Sequence, residues 1–372
     1  MELTGKTILI ISPQPWSNMF VSKHHYAIEL MKRGNIIYFL QPLGSTPENT
    51  DKYYPNLHIL NHKKFFGEVL RFHYRPLYKF LLSIQLNKLL KTIQTPLDVV
   101  LSFDNTAKYP NLSIFKAKKY IFFPVDQINM NHLSEYKTYG DFIFSISPLI
   151  LDSFKSHHSK KILLNHGLGN NWVQKAEEKI NNKTLTSSDN INVGYFGNLN
   201  FGRGLDMNTI KLVISKHTNI NFHFWGNNQV DDNSSAEVKK WMIFLENSKN
   251  VTLYGSTAQN DLVQQIDSID AFILCYDYRY EINKCSNSHK ILEYLSTGKV
   301  VISNKMSMYN NHNDIFNMLP DFSNKDYIHL FDNTIENIEH YNNSELQLKR
   351  KEFAMQNTYA KQVLRIEEQL TL

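Results

Sequence analysis

The segment Cys285–Ser303, CSNSHKILEYLSTGKVVIS, runs a short helix straight into a buried strand. Ser286, Asn287 and Ser288 are helix-capping residue types, Gly298 is a helix-ending one, and Val300–Ile302 is an apolar run. About two helical turns fit between those signals. Over them Ile291, Leu292 and Leu295 share one side, while Lys290, Glu293 and Thr297 (i, i+3, i+7) share the other. A helix that feeds a buried strand is the repeating unit of a parallel α/β sheet. Its unusual content is a cation and a carboxylate one turn apart near its start.

The same alternation extends in both directions. Before the segment come strand patterns at Asn192–Phe196, Asn221–Trp225, Val251–Tyr254 and Ala271–Tyr276. Helical patterns at Asp206–Lys216, Ala236–Glu246 and Asn260–Ile269 separate them. The first half offers strands at Thr7–Ser12, Asn35–Leu40, Leu57–Leu60, Asp98–Phe103, Tyr120–Val125, Phe142–Ile146 and Lys161–Leu164, with helices at Ser22–Arg33 and Pro76–Lys91. These runs are continuously apolar, as strands covered on both faces must be. Two successive βαβ series predict two Rossmann-like, doubly wound parallel sheets, over residues 1–172 and 191–350. Residues 173–190 read as a linker and 351–372 as a closing helix. Such sheets bind ligands at the carboxyl ends of their strands.

A chain of 372 residues with 42% hydrophobic and 20% charged residues suits a two-domain globular protein. Two cysteines, Cys275 and Cys285, form no zinc or redox motif, so a cytoplasmic location is expected. No stretch nears the ~18 consecutive apolar residues of a membrane span, and the run Ile8–Ile11 is too short for a signal peptide. Residues 1–170 hold 20 Lys/Arg against 11 Asp/Glu, and the remainder 20 against 24. The basic half is therefore expected to meet something anionic.

TGKT at residues 4–7 imitates the end of a phosphate-binding loop, but it precedes a strand and lacks the upstream glycine, so it is a coincidence. GYFGNLNFGRG, Gly194–Gly204, follows a strand and opens a helix. It is not a dinucleotide fingerprint, since Met207 stands at the third glycine position. It still supplies a glycine-lined loop with Gly197, Asn198 and Arg203 near a helix start, equally readable as a plain turn. Lys290 and Glu293 have a bland reading as a solvated ion pair. Their position late in the second sheet favours another: the lysine and helix N–H groups neutralise a diphosphate, and the carboxylate accepts two ribose hydroxyls.

With these residues the whole chain resembles the GT-B glycosyltransferases, which move a sugar from a nucleotide donor bound between two Rossmann-like domains. VGYFGNL is similar to the family's opening C-domain strand and loop, NVTLYGS to a later strand, and SHKILEYLSTGKVVIS to its donor-site signature. FAMQNTYAKQVLRIEEQL is similar to the helix that closes back on the N-domain. The resemblance implies that Lys290 binds the diphosphate with Ser288 and His289 beside it, that Glu293 binds the ribose, and that Gly197, Asn198 and Arg203 meet the leaving phosphates. Retaining members often carry an acid eight positions before Glu293, and here that position is Cys285. The Ser288-His289-Lys290-x-x-Glu293 spacing is closer to that of the inverting xanthan glucuronosyltransferase. The first loop, PQPWSNMFVSKHHYAIEL, lacks the common Gly-Gly and is similar to a subgroup acting in bacterial surface-polysaccharide assembly.

No Asp-x-Asp occurs, so no diphosphate-bridging metal and no other cofactor is indicated. An acceptor hydroxyl needs a base if the transfer inverts, and Asp126 and Asp104 both end apolar runs; Asp126 is preferred. Either could instead cap the next segment. His24 and His25 open the first helix and are further candidates for touching a sugar. Residues 62–91 carry Lys63, Lys64, Arg71, Arg75, Lys79, Lys88 and Lys91 against Glu68, interleaved with aromatic residues. This reads either as an interfacial helix on an anionic inner leaflet or as sheet cover with a solvated basic face. No nucleic-acid motif accompanies it. The expected activity is transfer of a hexose or uronic acid from a nucleotide diphosphate, UDP first, to a lipid-linked or growing glycan. Its rivals are a GT-B nucleotide-sugar epimerase and a non-catalytic sugar-nucleotide-binding subunit of a polysaccharide complex.

Overall fold

The structure, a computed structural model, describes residues 1–16, 20–42, 44–45, 54–61, 69–106, 108–109, 111–126, 140–155, 157–178, 190–200 and 204–371. The strands are β1 (Thr7–Ile11), β2 (Ile36–Leu40), β3 (Leu57–Leu60), β4 (Val99–Ser102), β5 (Lys119–Phe122), β6 (Phe142–Ser145), β7 (Lys160–Leu163), β8 (Asn192–Phe196), β9 (Asn221–Trp225), β10 (Val251–Gly255), β11 (Ala271–Leu274), β12 (Val300–Ser303) and β13 (Asn317–Met318). The helices are α1 (Ser22–Lys32), α2 (Leu70–His73), α3 (Arg75–Leu90), α4 (Pro148–Asp152), α5 (Asn170–Glu177), α6 (Met207–Lys216), α7 (Ala236–Asn247), α8 (Gln259–Gln265), α9 (Tyr278–Ser286), α10 (His289–Ser296), α11 (Tyr327–Glu336), α12 (Ile338–Tyr341), α13 (Ser344–Met355) and α14 (Tyr359–Thr371).

The chain forms two compact units, Met1–Asn165 with Tyr359–Leu372, and His166–Thr358. The first holds the seven-stranded sheet β3-β2-β1-β4-β5-β6-β7 and the second the six-stranded sheet β10-β9-β8-β11-β12-β13. Every pairing is parallel. Each sheet starts in the middle, runs to one edge, then returns to build the other side. The order therefore reverses between β1 and β4 in the first unit and between β8 and β11 in the second, and a crevice opens at the carboxyl ends there.

Burial explains why these runs are strands. β1, β4, β6, β11 and β12 are buried at every position, so each needs cover on both faces. In the first unit one face packs β1, β4 and β5 side chains on α1 and α14, and the other packs them on α3. Helix α14 is tied in by the Leu3 N–H on a Glu367 carboxylate oxygen at 2.9 Å and by an Arg33–Glu367 ion pair. The segment read as one closing helix is two. The Leu168 N–H takes the Asn357 carbonyl at 2.7 Å and bridges alongside Thr358, which holds that backbone extended between α13 and α14. Residues 173–177, expected to begin the linker, belong to α5, whose Trp172 is buried against Phe196 in the second core. β13 has two residues and carried no sequence signal.

Candidate functional site

The second unit's switch point is built from the loop after β8, the end of β11 and the start of α10. Ile291, Leu292, Tyr294 and Leu295 of α10 are fully buried and press the helix on the sheet. That turns Lys290 and Glu293 to the opposite side, where both are half-buried. Tyr294 also ties the two parts of the site together, its hydroxyl accepting the Phe196 N–H at 3.3 Å. Ser288 occupies the N-cap position but does not cap. Its hydroxyl lies 3.2 Å from the Tyr276 hydroxyl, and no side chain caps α10. The positive end of the helix is left for an anion.

Lys290 donates from Nζ to Tyr276 Oη at 3.4 Å and stands 6.0 Å from that ring's centroid. Burial opposes its charge, but the Tyr276 and Tyr195 oxygens and the Glu293 carboxylate outweigh burial and hold the ammonium above the ordinary lysine range. Burial pushes the Glu293 carboxyl up to about 7 against the pull of Lys290. Among the described residues no ion pair joins the two, so both keep capacity for a ligand.

The glycine loop touches the lysine directly. A β-carbon on Gly197 would lie 2.6 Å from Lys290 Cε and 2.6 Å from Tyr195 Oη, so only glycine lets the loop approach this closely. Gly226 is required behind it, because a β-carbon there would stand 1.7 Å from the Gly197 carbonyl oxygen. The Gly197 N–H is held by the Trp225 carbonyl at 2.8 Å and the Leu199 N–H by the Asn227 carbonyl at 3.1 Å, while Asn198 Oδ1 accepts the Asn200 N–H at 2.9 Å. Arg203 lies outside the described residues. His289 is exposed, its ring 5.9 Å from that of His166. Burial and the Lys290 charge lower the His166 pKa to about 4, against a backbone hydrogen bond with Asn287. Cys285 is a buried thiol that accepts from Asn304 Nδ2 at 3.3 Å.

The candidates in the first unit separate by their hydrogen bonds. His24 is fully buried; Nδ1 accepts the Val21 N–H at 3.1 Å, so Nε2 carries the proton and donates to the Pro15 carbonyl at 2.9 Å. Both ring nitrogens are spent on backbone, and burial lowers the pKa to about 4. The ring packs between Phe20 and Phe39. His25 stacks on Tyr359 at 4.6 Å. Asp104 is buried and saturated, accepting from the Thr106 N–H at 3.0 Å, the Thr106 hydroxyl at 2.6 Å and the Lys108 N–H at 3.1 Å. Asp126 is exposed, and its carboxylate accepts no hydrogen bond among the described residues.

Residues 62–68 of the basic segment, with Lys63 and Lys64, lie outside the described residues. Helix α3 has two apolar faces. Tyr78, Leu82, Leu86 and Leu89 are buried on the sheet, while Leu77, Phe80 and Ile84 are exposed, Phe80 by 61%. Sheet cover and an outward apolar face beside Lys79 and Lys88 therefore coexist in one helix. Among the described residues no helix is long and apolar enough to cross a membrane.

Tyr195, Tyr276, His166 and Lys23 were missed by sequence reasoning. Tyr276 ends its apolar run and Tyr195 is the last but one of its own, so asking what stands at the end of each strand at a switch point would have found them.

No family model matches the chain, and no curated protein matches it in sequence. Solved structures match it along nearly its whole length. A glycosyltransferase from Rickettsia africae aligns with a TM-score of 0.68 at 14% identity, over 98% of this chain and 97% of that one. HepE from Anabaena, solved in complex with UDP and glucose, aligns at 0.66 and 12% identity, over 98% and 99%. Sucrose-phosphate synthase from Thermosynechococcus elongatus aligns at 0.68 and 10% identity, over 98% of each chain. At these identities the likeness is one of fold: the chain has the GT-B glycosyltransferase fold.

Proposed function

We propose that this chain is a metal-independent glycosyltransferase. It moves a hexose or uronic acid from a nucleotide diphosphate, UDP by preference, to a lipid-linked or growing glycan in bacterial exopolysaccharide, capsule or O-antigen synthesis. The observation that carries the reading is the contact between Lys290 and Gly197 at the start of α10, which no side chain caps, with Glu293, a carboxylate without an ion pair among the described residues, one turn on. A fixed cation, a close backbone approach and a helix N-terminus are what a diphosphate leaving group requires, and together they take the part of a divalent cation. Glu293 suits the vicinal hydroxyls of a ribose. HepE, of the same fold, was solved with UDP-glucose, which favours UDP.

On this reading Lys290 and the α10 N–H groups stabilise the diphosphate as the glycosidic C–O bond breaks. Asp126 takes the acceptor hydroxyl's proton in a single inverting displacement; its exposure, against the hydrogen-bonded Asp104, supports that choice. The protein works at the cytoplasmic face of the membrane, with α3 against anionic lipid. Incubation with a panel of UDP- and GDP-sugars in excess EDTA, scored by calorimetry and by sugar release or transfer, tests the reading. Failure to bind any nucleotide diphosphate would overturn it, and strict dependence on added metal would remove the leaving-group argument.

A further inference from the structure

Lys23 is the second residue of α1, at the carboxyl edge of the first sheet, and only 3% of it is exposed. The other buried lysines of this fold are answered. Lys175 pairs with Asp267 and Glu178, and Lys351 donates to the Glu178 carbonyl at 2.7 Å. Lys23 makes no ion pair and no side-chain hydrogen bond with any described residue. The one opposite charge acting on it is Asp126, which follows β5, two strands along the same edge from β1. His24 beside it cannot share its proton, since both of its ring nitrogens are engaged. The first α1 donors bonded to Val21 O are the His24 and His25 N–H groups, and those of Ser22 and Lys23, at the positive end of an eleven-residue helix, meet no acceptor among the described residues.

A buried cation with no partner is unfavourable, and a fold keeps one where a ligand supplies the missing charge. We propose that Lys23 and the Ser22 and Lys23 N–H groups bind an oxyanion carried by the acceptor, a phosphate or carboxylate near the hydroxyl to be glycosylated. Asp126 stands beside that anion as the proton acceptor. The inference deepens the transferase reading and rests on it for the word acceptor; the oxyanion site itself stands on the first unit alone. Burial, opposed by Asp126, brings the Lys23 pKa down to about 8. Asp126 and the neutral His24 are the titratable groups that face it.

The test uses methyl phosphate as probe, titrated by phosphorus NMR into the full chain with UDP saturating, for the wild type, Lys23→Met and Lys23→Arg. The wild type should bind methyl phosphate, Lys23→Met should lose at least about tenfold in affinity, and Lys23→Arg should stay within about threefold, with UDP affinity equal in all three. Wild-type affinity should fall as pH rises from about 7 to about 9 while Lys23→Arg stays flat. A phosphomonoester is already dianionic there, so the fall reports the lysine, and this arm holds even if Lys23→Met does not fold. No methyl phosphate binding by the wild type, equal binding by Lys23→Met, or a loss of UDP affinity instead would overturn the proposal. Methyl phosphate binding without any UDP binding would keep the Lys23 site and discard the transferase reading.

Discussion

Lys290 fills the space that a side chain at Gly197 would need, its Cε 2.6 Å from where a β-carbon would stand. The glycine therefore sets how near the loop comes to the cation, and on the proposed reading the two residues form one anion seat. Lys290→Ala should weaken UDP binding by about 1.5–3 kcal/mol, the worth of a charge-assisted hydrogen bond. Gly197→Ala should push the ammonium aside and weaken UDP by roughly tenfold, a distance effect without loss of charge. Nucleoside monophosphate should barely register the lysine change. Calorimetry giving Lys290→Ala an unaltered UDP affinity would sink the assignment.

The pH dependence carries two opposite signs. Glu293 rises from 4.5 to about 7, so the folded state holds its proton more tightly and the group costs stability as pH climbs through that window. The same ionisation creates the acceptor a ribose needs, so UDP affinity should increase as pH rises through about 7 and be flat in Glu293→Gln. His24 and His25 fall from 6.5 to about 4, so the unfolded chain binds protons first and stability drops as pH falls from 6.5 to 4. The first unit should lose on the order of 3–6 kcal/mol over that range. In the second unit the loss from His166 is offset by Glu293. Urea unfolding followed by probes in each unit should show the first become the weaker on acidification; the reverse order would refute these assignments.

Both sheets were legible because their central strands, buried on two faces, have to be continuously apolar; all twelve runs matched strands to within about three residues, although β7 is largely exposed and β10 alternates between half-buried and exposed positions. Lys290 and Glu293 were legible because three apolar residues fix which way a two-turn helix faces. Other features depend on contacts between distant segments, which no local pattern records. Nothing near His24 announces that Pro15 and Val21 consume its nitrogens. Ser288 looks like a cap because it is serine in the right place, yet Tyr276 takes its hydroxyl. Asp104 and Asp126 end similar runs, and only the turn after Asp104, with its donors on Thr106 and Lys108, tells them apart.

The exposed row Leu77, Phe80 and Ile84 on α3, flanked by Lys79 and Lys88, gives the membrane proposal a definite surface. Vesicles rich in anionic lipid should sediment the protein at low salt, and roughly 0.5 M salt should release much of it. Phe80→Ser with Ile84→Ser should reduce the salt-resistant part of binding, and Lys79→Gln with Lys88→Gln the salt-sensitive part. The buried Tyr78, Leu82 and Leu86 are untouched, so the melting temperature should hold within a few degrees. Vesicle binding that survives all four changes would leave α3 as sheet cover alone.

Asp126 and Asp104 make the sharpest comparison, since they share a residue type and a position just past a strand of the first sheet. Asp104 spends its carboxylate on Thr106 and Lys108, and a proton taken there would cost it those bonds. Asp126 is exposed and accepts no hydrogen bond among the described residues, and its charge acts on Lys23. In an inverting displacement the base must lie within hydrogen-bond reach of the acceptor hydroxyl, and replacing it by its amide keeps the shape while removing the proton acceptor. Asp126→Asn should therefore lower kcat by roughly 10²–10⁴ with UDP affinity nearly constant. Asp104→Asn should lower stability by about 1–2 kcal/mol through its lost turn, with kcat close to wild type. Product anomeric configuration by NMR supplies the independent check. A retained anomer would remove the need for this base, and an Asp126→Asn protein with full turnover would refute its role under either stereochemistry.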